Sequence, residues 1–454
     1  MYLLYSLLLV FWGAALTPAF LYKAWRRGKR LPGTGQRFGR LPERLRGDGS
    51  RAVVWFHACS VGETLSLAPL VRAMRDRLPE ARFVFSTVTP TGQAVAAKSF
   101  GAENVFYFPI DFAFAVRRVL GWLRPSLVVI IDTEIWPNLL RQAQRRGTPV
   151  AMANGRISPA SFRHYRLARP VLRRVFGGYA ALMMQSDEDA GRITALGAPP
   201  EKVSTPGNLK FDSAPGAGSE GASELRRELE EGFGLGAPGD ACAAAPLIVA
   251  GSTHPGEERI LLEALGGLRK LPGLEGTRML LAPRHPERFD EVAAAIAAAG
   301  FAFRRRSQKG GAPAIGADGA GRGGEAPVLL LDTLGELSET YRYADIVFVG
   351  GSLTRRGGHS VLEPAAFAKA IVVGPSMENF RAVRDGFAAR KALAQVTATE
   401  DDRAAQAGQL VETFRRLLQD DGGRKAMGEA ARRVLEENRG AAGRIADKLT
   451  GLMR

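Results

Sequence analysis

Acidic residues placed directly after apolar runs are the first chemistry this chain offers. The segment HACSVGETLSLAPLV, His57 to Val71, follows a strand-like run and sets Glu63 at the start of a helix-like segment. A carboxylate there either takes a proton from a substrate hydroxyl as a general base or complements the positive end of its own helix. The segment VVIIDTEIWPNLL places Asp132 and Glu134 where another apolar run ends. Two acids emerging from a buried strand cost desolvation unless a cation or a donor meets them. Asn208-Leu209-Lys210 offers that cation, either to a reacting centre or to a plain salt bridge between domains.

The second half offers the opposite charge. From Ala344 to Phe380 a strand-like run breaks at Gly350-Gly351, a second glycine pair follows at Gly357-Gly358, and Ser360 precedes Glu363 by the spacing of a capping box. Strand, glycine turn and helix start predict an anion cradle, because the first turn of a helix has amides without intrahelical partners. Glu363 then either bonds the ribose of a nucleotide or caps its own helix. Upstream, a run ends at Gly251-Ser252-Thr253 and is followed by His254, Glu257 and Glu258. In LLAPRHPERF, Pro283-Arg284 stands where a strand runs out, and a guanidinium there clamps a phosphate or a carboxylate in two-point fashion. In LDTLGELSETYRYAD, Leu334-Gly335-Glu336 enters a further helix, so its backbone either contacts a base or ribose or caps that helix.

The elements that must position these groups are readable from strand-length apolar runs alternating with helix-length segments. Strands are expected at 52–56, 82–86, 105–108, 127–131, 150–153 and 181–185, and again at 247–250, 279–282, 328–331, 346–349 and 371–374. The alternation predicts an α/β protein with two doubly wound, Rossmann-like parallel sheets. A ligand in such a chain belongs in a crevice at the carboxyl ends of the strands, in the cleft between the two sheets. Composition shifts suggest four segments: 1–30, 31–212, a Gly/Ala/Ser-rich linker at 213–245, and 246–454. A glycine-rich loop is expected at 308–326.

The chain has 454 residues, a formal charge of +16 and a sequence pI near 10.3. That balance predicts an acidic partner, and the lack of aromatic residues interleaved with the basic ones puts nucleic acid behind anionic lipid. Cys59 and Cys242 make no disulfide framework, and the five histidines show no metal-ligand spacing, so no metal or cofactor is expected. The uncharged stretch from Tyr2 to Tyr22 is followed by Lys23, Arg26, Arg27, Lys29 and Arg30. Charge after the apolar run rather than before it predicts an uncleaved anchor, with the bulk of the chain in the cytoplasm against anionic headgroups. Monotopic insertion is the alternative, since Gly13 and Pro18 weaken the helix.

The motifs SVGET, TPTG, DTEIWPNL, NGRIS, GNLKFD, GSTHPGEE, PRHPERF, GELSETY, ADIVFVGGSL and GGHSVLEP occur in one order along nearly the whole chain. In that order they resemble the 3-deoxy-D-manno-octulosonic acid (Kdo) transferases of lipopolysaccharide biosynthesis, which have the GT-B glycosyltransferase fold. The resemblance implies inverting transfer of Kdo from CMP-Kdo to the lipid A precursor, at the cytoplasmic face of the inner membrane. It implies Glu63 as general base, and Asp132 and Lys210 as groups that stabilise the transition state. It also implies CMP contacts from Pro283 and Arg284, from Leu334, Gly335 and Glu336, and from Ser360, Val361, Leu362 and Glu363. Two departures stand out: family members usually carry Glu at the position of Asp132 and Asn at that of Ser360. Two other readings are a GT-B enzyme for another nucleotide sugar and a non-catalytic, membrane-anchored nucleotide binder.

Overall fold

The computed structural model describes residues 2, 5–11, 33–213, 222–236, 245–308 and 326–453. Most of the Tyr2–Tyr22 stretch with its basic flank, about half of 213–245 and nearly all of 308–326 lie outside the described residues. Among the described residues no helix is long and apolar enough to cross a membrane. The chain divides into two compact units, Met1–Ser213 with Asn438–Arg454, and Ala214–Glu437.

In the first unit the strands β1 (Val53–His57), β2 (Arg82–Thr87), β3 (Val105–Tyr107), β4 (Leu127–Ile131), β5 (Val150–Gly155), β6 (Ala181–Met184) and β7 (Val203–Ser204) form one sheet. Their order is β3-β2-β1-β4-β5-β6-β7, and every pairing is parallel. Why the runs are continuously apolar follows from the layers. Successive side chains of a strand point to opposite faces, and here both faces are covered. Val53 and Trp55 join one core with Val128 and Ile130, together with Val116, Val119 and Leu120 of the helix Ala113–Leu123. Val54 and Phe56 join the other with Leu127, Val129 and Ile131, beneath Leu67, Leu70 and Met74 of the helix Val61–Arg77.

That second core also contains Ala442, Ile445, Ala446 and Leu449 from the closing helix Ala441–Gly451. Asp212 fixes the entry of this helix by accepting from the amides of Gly440 and Ala442, both at 2.6 Å. The sequence reading ran the second domain to residue 454; by packing, the last helix belongs to the first unit.

In the second unit, β8 (Leu247–Thr253), β9 (Arg278–Pro283), β10 (Phe303–Arg305), β11 (Val328–Leu330), β12 (Ile346–Val349), β13 (Ala370–Val373) and β14 (Ala394–Gln395) make a second parallel sheet, ordered β10-β11-β9-β8-β12-β13-β14. The short strands β10 and β14 were not anticipated from the sequence; with three and two residues they carry too little apolar pattern to read. Each sheet reverses its winding once, between β1 and β4 and between β8 and β12. The loops that leave the carboxyl ends of those four strands flank the crevices where doubly wound sheets bind ligands.

Candidate active site

At the first crevice, β1 ends in His57 and Ser60 caps the helix Val61–Arg77. Ser60 Oγ accepts from the Glu63 amide at 3.3 Å and donates to Glu63 Oε1 at 2.7 Å, while the Cys59 amide donates to Glu63 Oε2 at 2.7 Å. Glu63 thus exchanges hydrogen bonds with the cap of its own helix and also lines a cavity of about 220 Å³ with Asp132, Thr133, Glu134, Arg156 and Ser158. Burial pushes the Glu63 carboxyl above the ordinary range, Asp132 and Glu134 push the same way, and the two donors pull against them. The group is oriented by its hydrogen bonds and made more basic by its surroundings.

Asp132 follows β4 in the left-handed region, with φ 63°. A non-glycine residue held there costs on the order of 1–3 kcal/mol and persists only where its neighbours fix it. Its amide donates to Ala153 O at 3.0 Å, and its Oδ1 accepts from the Thr133 amide at 2.8 Å. Burial raises the Asp132 carboxyl, and Arg156 and Lys210 oppose that rise.

Lys210 is held within electrostatic reach of Asp132 and Glu63, on a segment fixed by side-chain amides. Asn154, near the end of β5, accepts from the Leu209 amide at 2.9 Å; Asn208 accepts from the Lys210 amide at 3.0 Å and donates to Gln185 at 2.9 Å. Burial and Arg156 lower the Lys210 ammonium, whereas Asp132 and Glu63 hold it up. These carboxylate neighbours lie in its own unit, which favours the reacting-centre reading over an interdomain salt bridge. The three residues assigned to catalysis are brought together.

Sequence reasoning missed the frame around them. Arg156 and Asn154 stand in the NGRIS motif, and the signal for them is adjacency: β5 pairs with β4, so the turn after β5 meets the turn after β4. Glu134 turns toward β1, accepting from Trp136 Nε1 at 3.0 Å with its Oε2 3.7 Å from His57 Nε2. Burial raises its carboxyl, but His57, Cys59 and Trp136 together hold it below the ordinary range.

The second crevice corrects two expectations. The glycine turn after β12 does not lie open to a ligand phosphate. The Glu257 carboxylate accepts from the amides of Gly351 at 2.7 Å, Ser352 at 3.0 Å, Leu353 at 2.8 Å and His254 at 2.9 Å. The turn packs so closely that a Cβ on Gly350 would lie 2.4 Å from Ser252 O. Nor does a helix open at Ser360. The helix is Leu362–Ala366 with Val361 at its cap and no side-chain cap bond, and Ser360 Oγ instead accepts from the Leu362 amide at 3.3 Å. Glu363 therefore closes no capping box. A five-residue helix has little dipole to offer, so the positive charge must come from side chains.

Those side chains are present. Arg284 is exposed just past β9, and its amide donates to Thr253 O at 3.0 Å. Its charge opposes the rise that burial imposes on the Glu363 carboxyl. His254 and His359 are 2.9 Å apart at Nε2, and His285 stands edge-on to His254 at 5.3 Å between ring centroids. Burial, then His254, Arg284 and His285, push His359 down to about 4, so its ring is neutral at pH 7. Pro283 is the buried last residue of β9. The turn after β11 sits on the same carboxyl edge, beside the β9 loop that carries Arg284. There Gly335 has φ 88° and Leu334 is 73% exposed. The Glu336 carboxylate is gripped by Arg306 at 2.8 and 3.2 Å and by the Thr333 hydroxyl at 2.7 Å, so this turn offers a ligand its backbone and the Leu334 side chain rather than a free carboxylate.

Residues 33–213 match the family model described as 3-deoxy-D-manno-octulosonic-acid transferase (kdotransferase). A 3-deoxy-D-manno-octulosonic acid transferase of Bordetella pertussis is 36% identical over 449 residues, 96% of each chain. Another, from Haemophilus influenzae, is 34% identical over 406 residues, 87% of this chain and 86% of its own. In fold, the chain is similar to a glycosyltransferase from Rickettsia africae, with a TM-score of 0.53 and 12% identity over 89% of this chain and 99% of that one. Identity of 36% over 96% of the chain, on two parallel sheets with this topology, places the chain in the family of the Kdo transferases, glycosyltransferases of the GT-B fold.

Proposed function

We propose that the chain transfers Kdo from CMP-Kdo to the lipid A precursor in lipopolysaccharide biosynthesis, with inversion at the anomeric carbon. One observation carries the mechanism: Glu63 is fixed by the Cys59 amide and the Ser60 hydroxyl at the wall of a cavity that also holds Asp132, within electrostatic reach of Lys210. An acceptor hydroxyl beside Glu63 loses its proton to the carboxylate as its oxygen bonds to the anomeric carbon, and the bond from that carbon to the CMP phosphate oxygen breaks. Lys210 and Asp132 set the field in which charge redistributes. The leaving group is a monophosphate, so Arg284 neutralises much of its charge by a two-point contact, with neutral His254 and His359 as further hydrogen-bonding groups. The backbone of 334–336 and of 360–363 supplies the remaining nucleotide contacts.

The acceptor is read as a phosphorylated lipid at the cytoplasmic face of the inner membrane. Supporting it are the charge of +16 and the apolar faces of the first helix, where Leu7, Val10 and Phe11 are 58, 56 and 69% exposed. Leu167, 89% exposed, stands among Arg163, Arg166 and Arg169 and suits an anionic surface. The test is transfer by the full chain, with CMP-Kdo generated in situ and the tetraacyl lipid A precursor, products resolved by mass. Lipid gaining one or more Kdo masses supports the reading. CMP binding without transfer would retain the family and remove this acceptor.

A further inference from the structure

The mechanism uses Glu63, yet the turn that holds it contains a second cluster with no part in proton transfer. His57 ends β1, Cys59 follows two residues later, and Glu134 lies after the neighbouring strand β4, which pairs His57 with Ile130. His57 Nε2 is 3.8 Å from Cys59 Sγ and 3.7 Å from Glu134 Oε2, and the three ligand atoms lie within 4.8 Å of one another. Among the described residues no other three His, Cys, Asp or Glu side chains converge in this way.

The orientation of His57 is decided by its other nitrogen. The ring is fully buried, and Nδ1 lies 3.1 Å from Ser86 O and 3.0 Å from Ser86 Oγ. Ser86 O only accepts and Ser86 Oγ can donate, and in the tautomer that directs the Nδ1 proton at Ser86 O the lone pair is on Nε2. In that arrangement Nε2 faces the Cys59 thiol and Glu134 Oε2, with the thiol proton shared among them, and a divalent cation would take the place of that proton at the point where the three atoms converge.

We propose that His57, Cys59 and Glu134 form a binding site for a zinc-class divalent cation. The donor set of one imidazole, one thiolate and one carboxylate suits a borderline-soft ion. With metal–sulfur near 2.3 Å and metal–nitrogen or –oxygen near 2.0–2.1 Å, a tetrahedral site needs an N···O edge of about 3.3 Å and an S···N edge of about 3.5 Å. The observed 3.7 and 3.8 Å require a contraction of a few tenths of an ångström. Outer partners are in place: Ser86 on the His57 ring and Trp136 Nε1 on Glu134 at 3.0 Å. On binding, the Cys59 thiol releases its proton to solvent and the thiolate takes its place as ligand. Because the Cys59 amide also holds Glu63 Oε2, the cation would fix the donor that orients the base.

The test reads the metal directly and does not depend on Kdo transfer. In the full chain carrying Cys242→Ser, Cys59 is the one remaining thiol. Titration with Co²⁺ should give one bound equivalent with a sulfur-to-cobalt charge-transfer band, displaced by Zn²⁺. Cys59→Ala should abolish the band, and Zn²⁺ affinity should fall tenfold or more in Cys59→Ala and in Glu134→Gln, with far-ultraviolet circular dichroism unchanged. A titration in which Co²⁺ produces no thiolate band, or in which Zn²⁺ binds the Cys59→Ala protein with unchanged stoichiometry and affinity, overturns the proposal.

Discussion

Gly62-Glu63 and Gly256-Glu257 are the same dipeptide in the same place, just after the first strand of each sheet and at the start of the helix that follows. Backbone amides fix both carboxylates, but to different degrees. Glu63 receives one amide and one hydroxyl and keeps a face on a cavity; Glu257 is fully buried and receives four amides. One carboxylate is left available for chemistry and the other is part of the architecture. The rest of each crevice follows. The first gathers three acids beside Arg156 and Lys210, suited to removing a proton. The second has its acid consumed internally and presents arginine and imidazole, suited to a departing phosphate.

The largest effect that sharpens this contrast is expected from Lys210→Ala. Removing this ammonium from the acidic crevice, with Arg156 left in place, should lower kcat by about 10²–10³, the range for one preorganised electrostatic group, with CMP affinity unchanged. A matching loss of CMP affinity would break the division of labour. Next is Glu257→Ala, which strands four buried amides, each costing about 1–3 kcal/mol if left unpaired. Chemical denaturation should show a loss of at least about 3 kcal/mol, whereas Glu63→Gln should cost less than about 1 kcal/mol. Equal losses would mean that the two glutamates do the same work. Arg284→Ala removes one charge-assisted contact of about 1.5–3 kcal/mol, so titration with CMP should show affinity weakened roughly ten- to hundredfold. Smallest is Ser360→Ala, which removes one acceptor from the Leu362 amide and should weaken CMP by less than about threefold, near 0.5 kcal/mol. A larger loss would restore Ser360 as a direct ligand.

What the sequence showed and what it hid have the same physical origin. Parallel strands buried on both faces must be apolar along their length, so the long strands and the residues at their ends were legible. Glu63 and Asp132 could be placed at a crevice for that reason. Partners far apart in sequence could not. The helix Ala441–Gly451 reads like any amphipathic helix, and only Asp212 and the apolar layer beneath it say where it docks. The glycines after β12 looked like a phosphate cradle because spacing shows that amides are free of the strand; it cannot show that Glu257, about 94 residues earlier in the chain, already occupies them. The convergence of His57, Cys59 and Glu134 escaped for a related reason, since the alignment of β1 with β4, not their spacing, brings them together.

The central claim is that Glu63 is a base made more basic by burial, and the dependence of kcat on pH at saturating donor tests it most directly. A base works ionised, so the rate must fall as pH drops through the raised carboxyl value. The wild type should therefore show an acid limb above the ordinary glutamate value of about 4.3, and Glu63→Gln should lose about 10²–10⁴ in kcat together with that limb while still binding CMP. A Glu63→Gln protein that keeps the limb and most of the rate would contradict the account.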